Sequence, residues 1–237
     1  MKSDILKKIQ EADLQGSASF SIPDFHLESL LLQEGYTLIA GVDEAGRGAL
    51  AGPLSVGLTI YDPSVIKNPP EAVSEQIRDS KKLTHPKRLA ARELIHDQSL
   101  YSHAALVSHR IIDRSNIVKA IGTALEKLIA QSPVIPEIIL MDGTISFDVG
   151  IPMITVKKGD NRSLSIASAS IEAKVTRDKI LDTFDALHPG YGFKKNKGYG
   201  TQEHRDAIVT IGHSPIHRRT YEPLKSILSG QGELFDP

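Results

Sequence analysis

The chain has no cysteine among its 237 residues, which excludes a disulfide framework, a zinc–thiolate centre and a cysteine nucleophile. That absence fits a cytoplasmic protein. No stretch approaches the roughly 20 apolar residues of a membrane span, and Met1 to Lys8 lack the continuous apolar region of a secretory signal. There is no internal repeat and no low-complexity tract. Neither sign of charge dominates: the net charge is −1, which gives no global pull toward nucleic acid. Only Lys157 to Arg219 is locally basic, with twelve Lys and Arg against seven Asp and Glu, and with His188, His204, His213 and His217 among them. Such a stretch suits a phosphate-bearing partner, and it suits a solvated basic face nearly as well. An apolar content of 40% with 24% charged residues is that of a soluble globular chain, one domain with or without a small appendage.

What the chain does have is an ordered run of helix and strand patterns. Residues 1–35 read as a helical extension broken at Ser21-Ile22-Pro23-Asp24, an accessory to the core. Thr37–Val42 and Leu54–Tyr61 read as antiparallel strands joined through a Gly-rich turn, followed by a long polar loop over 63–82. Thr84, with Pro86 just inside, predicts a helix to about Asp97. Strands follow at Tyr101–Val107, Ile138–Met141 and Met153–Val156, and helices at Ile112–Ala130, at Ser163–Leu187 and from Thr201 to Gly212. Strands mixed with helices make the class α/β with a mixed central sheet.

The acids fall at informative places. Asp43 and Glu44 end the first strand, immediately before the turn Gly46-Arg47-Gly48. Adjacent strand residues face opposite sides, so both reach one site only if the strand ends or bulges there. Asp142 follows a buried-type strand, at the edge where α/β folds build sites. Ile171, Val175 and Asp178 follow i, i+4, i+7 spacing, which puts Asp178 on an inward helix face. An acid there needs a partner, either a metal or a structural Arg or Lys. Four carboxylates on separate elements are what a pair of hard cations such as Mg²⁺ or Mn²⁺ requires. A glycine turn beside them lets backbone amides approach a ligand closely.

The run Asp43-Glu44-Ala45-Gly46-Arg47-Gly48 resembles the signature of type 2 ribonucleases H, specifically ribonuclease HII. So do Asp79-Ser80-Lys81-Lys82-Leu83, Lys158-Gly159-Asp160, Ser163-Leu164-Ser165-Ile166-Ala167 and Ala173-Lys174-Val175-Thr176-Arg177-Asp178. Tyr191-Gly192-Phe193, Lys197-Gly198-Tyr199-Gly200-Thr201 and Ile216-His217-Arg218-Arg219 complete the series. The resemblance covers roughly residues 37–226, in order. It implies a ribonuclease H-like catalytic domain over 36–226, with a mixed sheet flanked by helices and a helical C-terminal part. It implies endonucleolytic hydrolysis of RNA in RNA–DNA hybrids, including single ribonucleotides in duplex DNA, on their 5′ side, leaving 3′-hydroxyl and 5′-phosphate ends. The alternative is a catalytically silent hybrid-binding or clamp-associated adaptor. Carried over residue by residue, the metal-binding and catalytic acids are Asp43, Glu44, Asp142 and Asp178. The Gly46-Arg47-Gly48 backbone would read the 2′-hydroxyl. Tyr199 would pack on the neighbouring deoxyribose, with Tyr221 as the second candidate, further from the turn. Lys81, Lys82, Lys158 and Arg218 would hold phosphates. His217 reads as a structural or phosphate-contacting residue rather than a metal ligand, and His204 as a residue that could move protons or release product.

Two positions depart from the family pattern: Ala49 stands where proline is usual, and Glu172 where an apolar residue is. Glu172, six residues before Asp178, lies about 120° from it on a helix and is not expected to be a fifth ligand. The tail over 227–237 carries Gln231, Leu234 and Phe235, which resemble the Q-x-x-L-F peptide that docks on bacterial sliding clamps. The related HIII enzymes carry a larger N-terminal domain than residues 1–35 provide. A monomer is the simplest expectation.

Overall fold

The computed structural model describes residues 22–77 and 83–229. Five strands form one sheet: β1 (Ile39–Ala45), β2 (Leu54–Tyr61), β3 (Ser99–Val107), β4 (Ile138–Asp142) and β5 (Met153–Val156), in the order β3-β2-β1-β4-β5. β1 is central. It pairs antiparallel with β2 and parallel with β4, and β5 continues parallel beyond β4. β2 is buried along its whole length, as an inner strand covered on both faces must be.

The helices, in chain order, are α1 (His26–Gln33), α2 (Pro63–Lys67), α3 (Glu71–Gln76), α4 (His85–Gln98), α5 (His109–Arg114), α6 (Ile117–Gln131), α7 (Leu164–Leu187), α8 (Phe193–Asn196), α9 (Gln202–Ile211) and α10 (Leu224–Leu228). α6 covers one face of the sheet with Ala120, Ile121, Ala124, Leu125 and Leu128, an i, i+4 stripe. α7 lies on the other face with α4 beside it, against β1, β2 and β3. It comes close because two strand residues have no side chain. A Cβ on Gly41 would stand 2.1 Å from the Ser165 carbonyl carbon, and one on Gly57 2.0 Å from the Ala169 carbonyl oxygen. A third apolar cluster, including Leu50, Leu181, Tyr191, Phe193, Ile208 and Leu224, joins α7 to the C-terminal helices.

Several boundaries differ from the sequence reading. The described part of the 63–82 segment contains α2 and α3 rather than a continuous loop. Asp62 caps α2, its Oδ1 accepting from Ser64 N at 2.8 Å, and Pro63 opens it. The long helix expected over Ile112–Ala130 is two helices, because Asn116 is extended (φ −174°) and caps α6 by accepting from Lys119 N. Thr84 stands at the N-cap of α4 as predicted, though its side chain makes no capping bond.

The described part of residues 1–35 is not peripheral. Phe25, Leu27 and Leu31 belong to the core, and each fully buried leucine contributes about 2 kcal/mol. Glu28 is wholly buried, and its Oε1 accepts from Ser163 Oγ (2.5 Å) and Ser165 N (3.0 Å) at the start of α7. Burial pushes its carboxyl upward, against these hydrogen bonds. No helix among the described residues is long and apolar enough to cross a membrane.

Candidate active site

β1 and β4 stay paired only as far as Val42 and Met141. Beyond that point β1 runs on against β2 alone, through Ala45 opposite Ser55. A cavity of about 310 Å³ opens where the parallel pair parts, lined by Asp43, Glu44, Ala45, Arg88, Asp142, Ser170, Ile171, Lys174 and Tyr199. The strand neither ends nor bulges at the acids. Asp43 and Glu44 both reach the cavity because the β4 side of β1 is open there. Asp142 reaches it as the last residue of β4.

The acids disturb one another. Asp43 is 6% exposed. Burial, then the charges of Asp142 and Glu44, hold its carboxyl well above the usual carboxylate range, against hydrogen bonds from Ser170 and from Glu44 N (2.7 Å). Burial also raises Glu44, with Asp142 adding and Arg47 (3.2 Å) opposing. Asp142 Oδ1 accepts from Gly159 N at 2.6 Å, which ties it to the turn Gly159–Asn161 that follows the left-handed Lys158 (φ 52°). Asp178 is buried, as the helical spacing predicts, and takes Lys174 Nζ at 2.7 Å. A lysine is one of the partners left open for it. Burial lowers the Lys174 ammonium, while Asp178 opposes the shift.

Among the described residues no three of His, Asp and Glu converge closely enough to form a ready cation cage. Glu44 is held by Arg47 and Asp178 by Lys174. The donor set nonetheless fits a hard divalent ion: Asp43, Glu44 and Asp142 bring only oxygen ligands to one cavity, where the charged forms of Asp43 and Glu44 are disfavoured, and Asp178 is paired with Lys174.

The Gly-rich turn borders the cavity. Gly46 has φ 87°, and its N–H donates to the Tyr199 hydroxyl at 3.1 Å. Tyr199 is 37% exposed at the cavity rim. Tyr221 is no further from the turn, contrary to expectation, since its hydroxyl donates to Arg47 O at 3.0 Å. Arg218 also departs from its predicted role as a phosphate holder. It is fully buried, donates to Arg47 O (2.9 Å) and Gly52 O (3.1 Å), and stacks on the Tyr221 ring. Its guanidinium shapes the turn. Lys158 is exposed. Lys81 and Lys82, like Gln231, Leu234 and Phe235, lie outside the described residues.

Glu172 is engaged elsewhere. It accepts from Arg92 Nε (2.7 Å) and Nη2 (2.8 Å) and bonds His96 Nε2 (2.9 Å), pinning α4 to α7. Burial pushes it upward, but these partners outweigh burial and hold it below its usual value.

Sequence reasoning gave no role to Arg177. It is fully buried and donates to the carbonyls of Pro53 (2.8 Å), Lys197 (2.7 Å) and Ala51 (3.1 Å), with its guanidinium 5.3 Å from the Tyr199 ring centre. A Cβ on Gly46 would fall 2.0 Å from its Nε, so the glycine turn and this arginine are fitted to each other. Arg88, Ser170 and Lys174 were likewise given no role. No local pattern marks them, since their neighbours in the cavity come from distant strands.

Solved structures place this architecture in the ribonuclease H-like class. The ribonuclease H2 from Pyrococcus horikoshii OT3 superposes with a TM-score of 0.68 over 82% of this chain and 98% of its own, at 24% identity. A ribonuclease HII from Archaeoglobus fulgidus, solved as a PCNA complex, gives 0.60 over 83% and 92% at 22% identity. A Bst-RNase HIII solved with Mn²⁺ gives 0.60 over 84% and 72% at 19% identity. At these identities the likeness speaks for the fold alone.

The family follows from sequence. A family model described as Ribonuclease HII matches residues 40–223. The chain is 42% identical over 209 residues to a Ribonuclease HII of Acholeplasma laidlawii, covering 88% of this chain and 98% of the relative. It is 44% identical over 204 residues to one of Caldicellulosiruptor saccharolyticus, covering 86% and 95%. The chain belongs to the ribonuclease HII family and is an endoribonuclease specific for RNA–DNA hybrids.

Proposed function

We propose that this endoribonuclease cleaves single ribonucleotides embedded in duplex DNA as well as longer hybrids, on the 5′ side of the ribonucleotide, and so serves to remove misincorporated ribonucleotides and RNA primers. The observation that carries the reading is the Tyr199 hydroxyl seated on the Gly46 amide at the rim of the acidic cavity. A backbone amide and a phenol side by side suit recognition of a sugar bearing a 2′-hydroxyl next to one without it. Water attacks the phosphorus, the P–O3′ bond breaks, and 3′-hydroxyl and 5′-phosphate ends result.

Asp43, Glu44, Asp142 and Asp178 would hold Mg²⁺ or Mn²⁺. When bound, such ions supply the positive charge that favours an attacking hydroxide and a leaving 3′-oxygen. The chain's own groups do the rest. Arg88 and Lys174 bring cations to the cavity. Arg47, exposed beside Glu44, and Lys158, Lys81 and Lys82 would hold phosphates without reading sequence.

The decisive experiment offers a DNA duplex with one internal ribonucleotide in Mg²⁺ or Mn²⁺. A nick 5′ of the ribonucleotide is expected. Tight binding with no nick under either metal would instead support the adaptor reading. We also propose that Gln231, Leu234 and Phe235 dock on a sliding clamp, as the PCNA complex of the Archaeoglobus protein encourages. Deleting residues 231–237 should then weaken clamp binding, and unchanged affinity would end that proposal.

A further inference from the structure

We propose that His204 and His217 form a fixed-tautomer relay that positions Tyr199 against the Gly-rich turn. This rests on the role given to Tyr199 above. Both histidines are buried, at 0% and 1% exposure. Their Nε2 atoms lie 3.0 Å apart. His204 Nδ1 is 2.9 Å from Tyr199 O, and His217 Nδ1 is 2.9 Å from Ser214 N and 2.8 Å from Ser214 Oγ.

The ends of this chain have no freedom. A carbonyl oxygen only accepts, so His204 carries its proton on Nδ1. A backbone N–H only donates, so His217 Nδ1 is bare and its proton sits on Nε2. The central bond is then donated by His217 and accepted by His204. Every bond is satisfied with both rings neutral and in opposite tautomers. A further proton would have to enter at His217 Nδ1 against the Ser214 N–H, or at His204 Nε2 against the His217 N–H. Either breaks the relay.

The surroundings keep that proton out. Tyr191 and Phe193 pack against both rings, and the Tyr191 hydroxyl is turned to Gly212 O. Burial, with His204, His213 and His109 nearby, pulls His217 down to about 3. Burial likewise lowers His204, against the Tyr199 carbonyl. Arg218, next in the chain, gives its Nε to Gly52 O and its Nη1 to Arg47 O.

The relay joins two segments that grip the same loop. Around Tyr199, Lys197 (φ 51°) and Gly198 (φ 79°) form a left-handed turn whose Gly198 carbonyl accepts from Leu50 N and Ala51 N. Around His217, the backbone bridges to Ala51, and Ile216 O accepts from Gly52 N. Each segment is tied to residues 50–52, and the histidine pair sets the spacing between them. The phenol that meets Gly46 is therefore aimed through the backbone carbonyl of its own residue.

Two measurements test this. Imidazole ¹⁵N spectra of the unmodified protein at pH 6 should show both rings neutral, His204 protonated on Nδ1 and His217 on Nε2. A charged ring or a reversed tautomer overturns the relay whatever the activity. In parallel, His204→Phe keeps ring volume but removes the donor to Tyr199, whereas His204→Asn keeps a donor there. The Phe variant should lose about tenfold more kcat/KM on a single-ribonucleotide duplex than on a long hybrid, the loss expected for one buried hydrogen bond. The Asn variant should recover most of it. A wild-type ratio of the two substrates in folded His204→Phe protein overturns the positioning role. If the wild-type chain itself ignores the single ribonucleotide, the reading of Tyr199 fails, and the tautomers alone decide the relay.

Discussion

Replacing Asp43 by Asn is expected to remove cleavage and to make the fold more stable. Cleavage should fall by roughly a thousandfold or more, about 4 kcal/mol of lost transition-state stabilisation. Asp43 lines the cavity with two other acids and is held largely buried. The stability gain comes from the same crowding. Burial and the charges of Asp142 and Glu44 raise the folded-state value of Asp43 above its unfolded one. A raised group favours the fold fully below its unfolded value, near 3.9, and that favour is lost as pH rises through the folded value. As pH climbs above the unfolded value the wild type therefore carries a growing penalty for Asp43, and the amide does not. The variant should be stabilised by about 1 kcal/mol at pH 8, with the gain shrinking toward pH 4. Denaturant midpoints in metal-free buffer at the two pH values read this directly. An equal difference at both would mean that charge is not the cause, and activity within tenfold of wild type would remove Asp43 from the reaction.

The largest loss of stability should come from Arg177→Met. The side chain has no exposed surface, and its guanidinium serves three carbonyls from two segments, at Ala51 and Pro53 and at Lys197. Methionine fills much of the volume but leaves those oxygens buried without donors. At ~1–3 kcal/mol for each unsatisfied group, with partial relaxation, the loss should be roughly 4 kcal/mol. Burial pulls the guanidinium down to about 10, so it stays charged at neutral pH and the wild-type bonds are charge-assisted. Arg177→Lys should recover little, because one ammonium cannot span a fork of three acceptors. Unfolding in urea measures both variants. A loss below about 1 kcal/mol for Arg177→Met would show that water satisfies the carbonyls once the arginine is gone.

The order of strands and helices was legible because strand alternation and helical spacing are local. Asp142 could be seen because a buried-type strand stops there, and Asp178 because i, i+4, i+7 spacing turns it inward. The joint approach of Asp43 and Glu44 was not derivable, since it depends on where β4 leaves β1. That is a pairing between residues about 100 positions apart. Arg218 was assigned to phosphates through the family resemblance, and nothing local shows that its partners are carbonyls of residues 47 and 52. The break at Asn116 was readable as a helix cap but was overridden by the continuous apolar stripe on either side.

Helix α7 gathers these features on successive turns. Its first turn receives Glu28 of α1. Ser170 bonds Asp43, Lys174 bonds Asp178 one turn on, Arg177 holds the Gly-rich turn, and Leu181 enters the C-terminal cluster. About 36 Å of one rigid rod lies against the sheet and joins two of the three apolar clusters of the described residues, which couples their opening. Amide hydrogens in the middle of this helix are therefore expected to exchange with solvent through global unfolding, among the slowest of the described residues. Loss of activity on heating then follows the same cooperative curve as loss of structure, with no separately softened catalytic region preceding it.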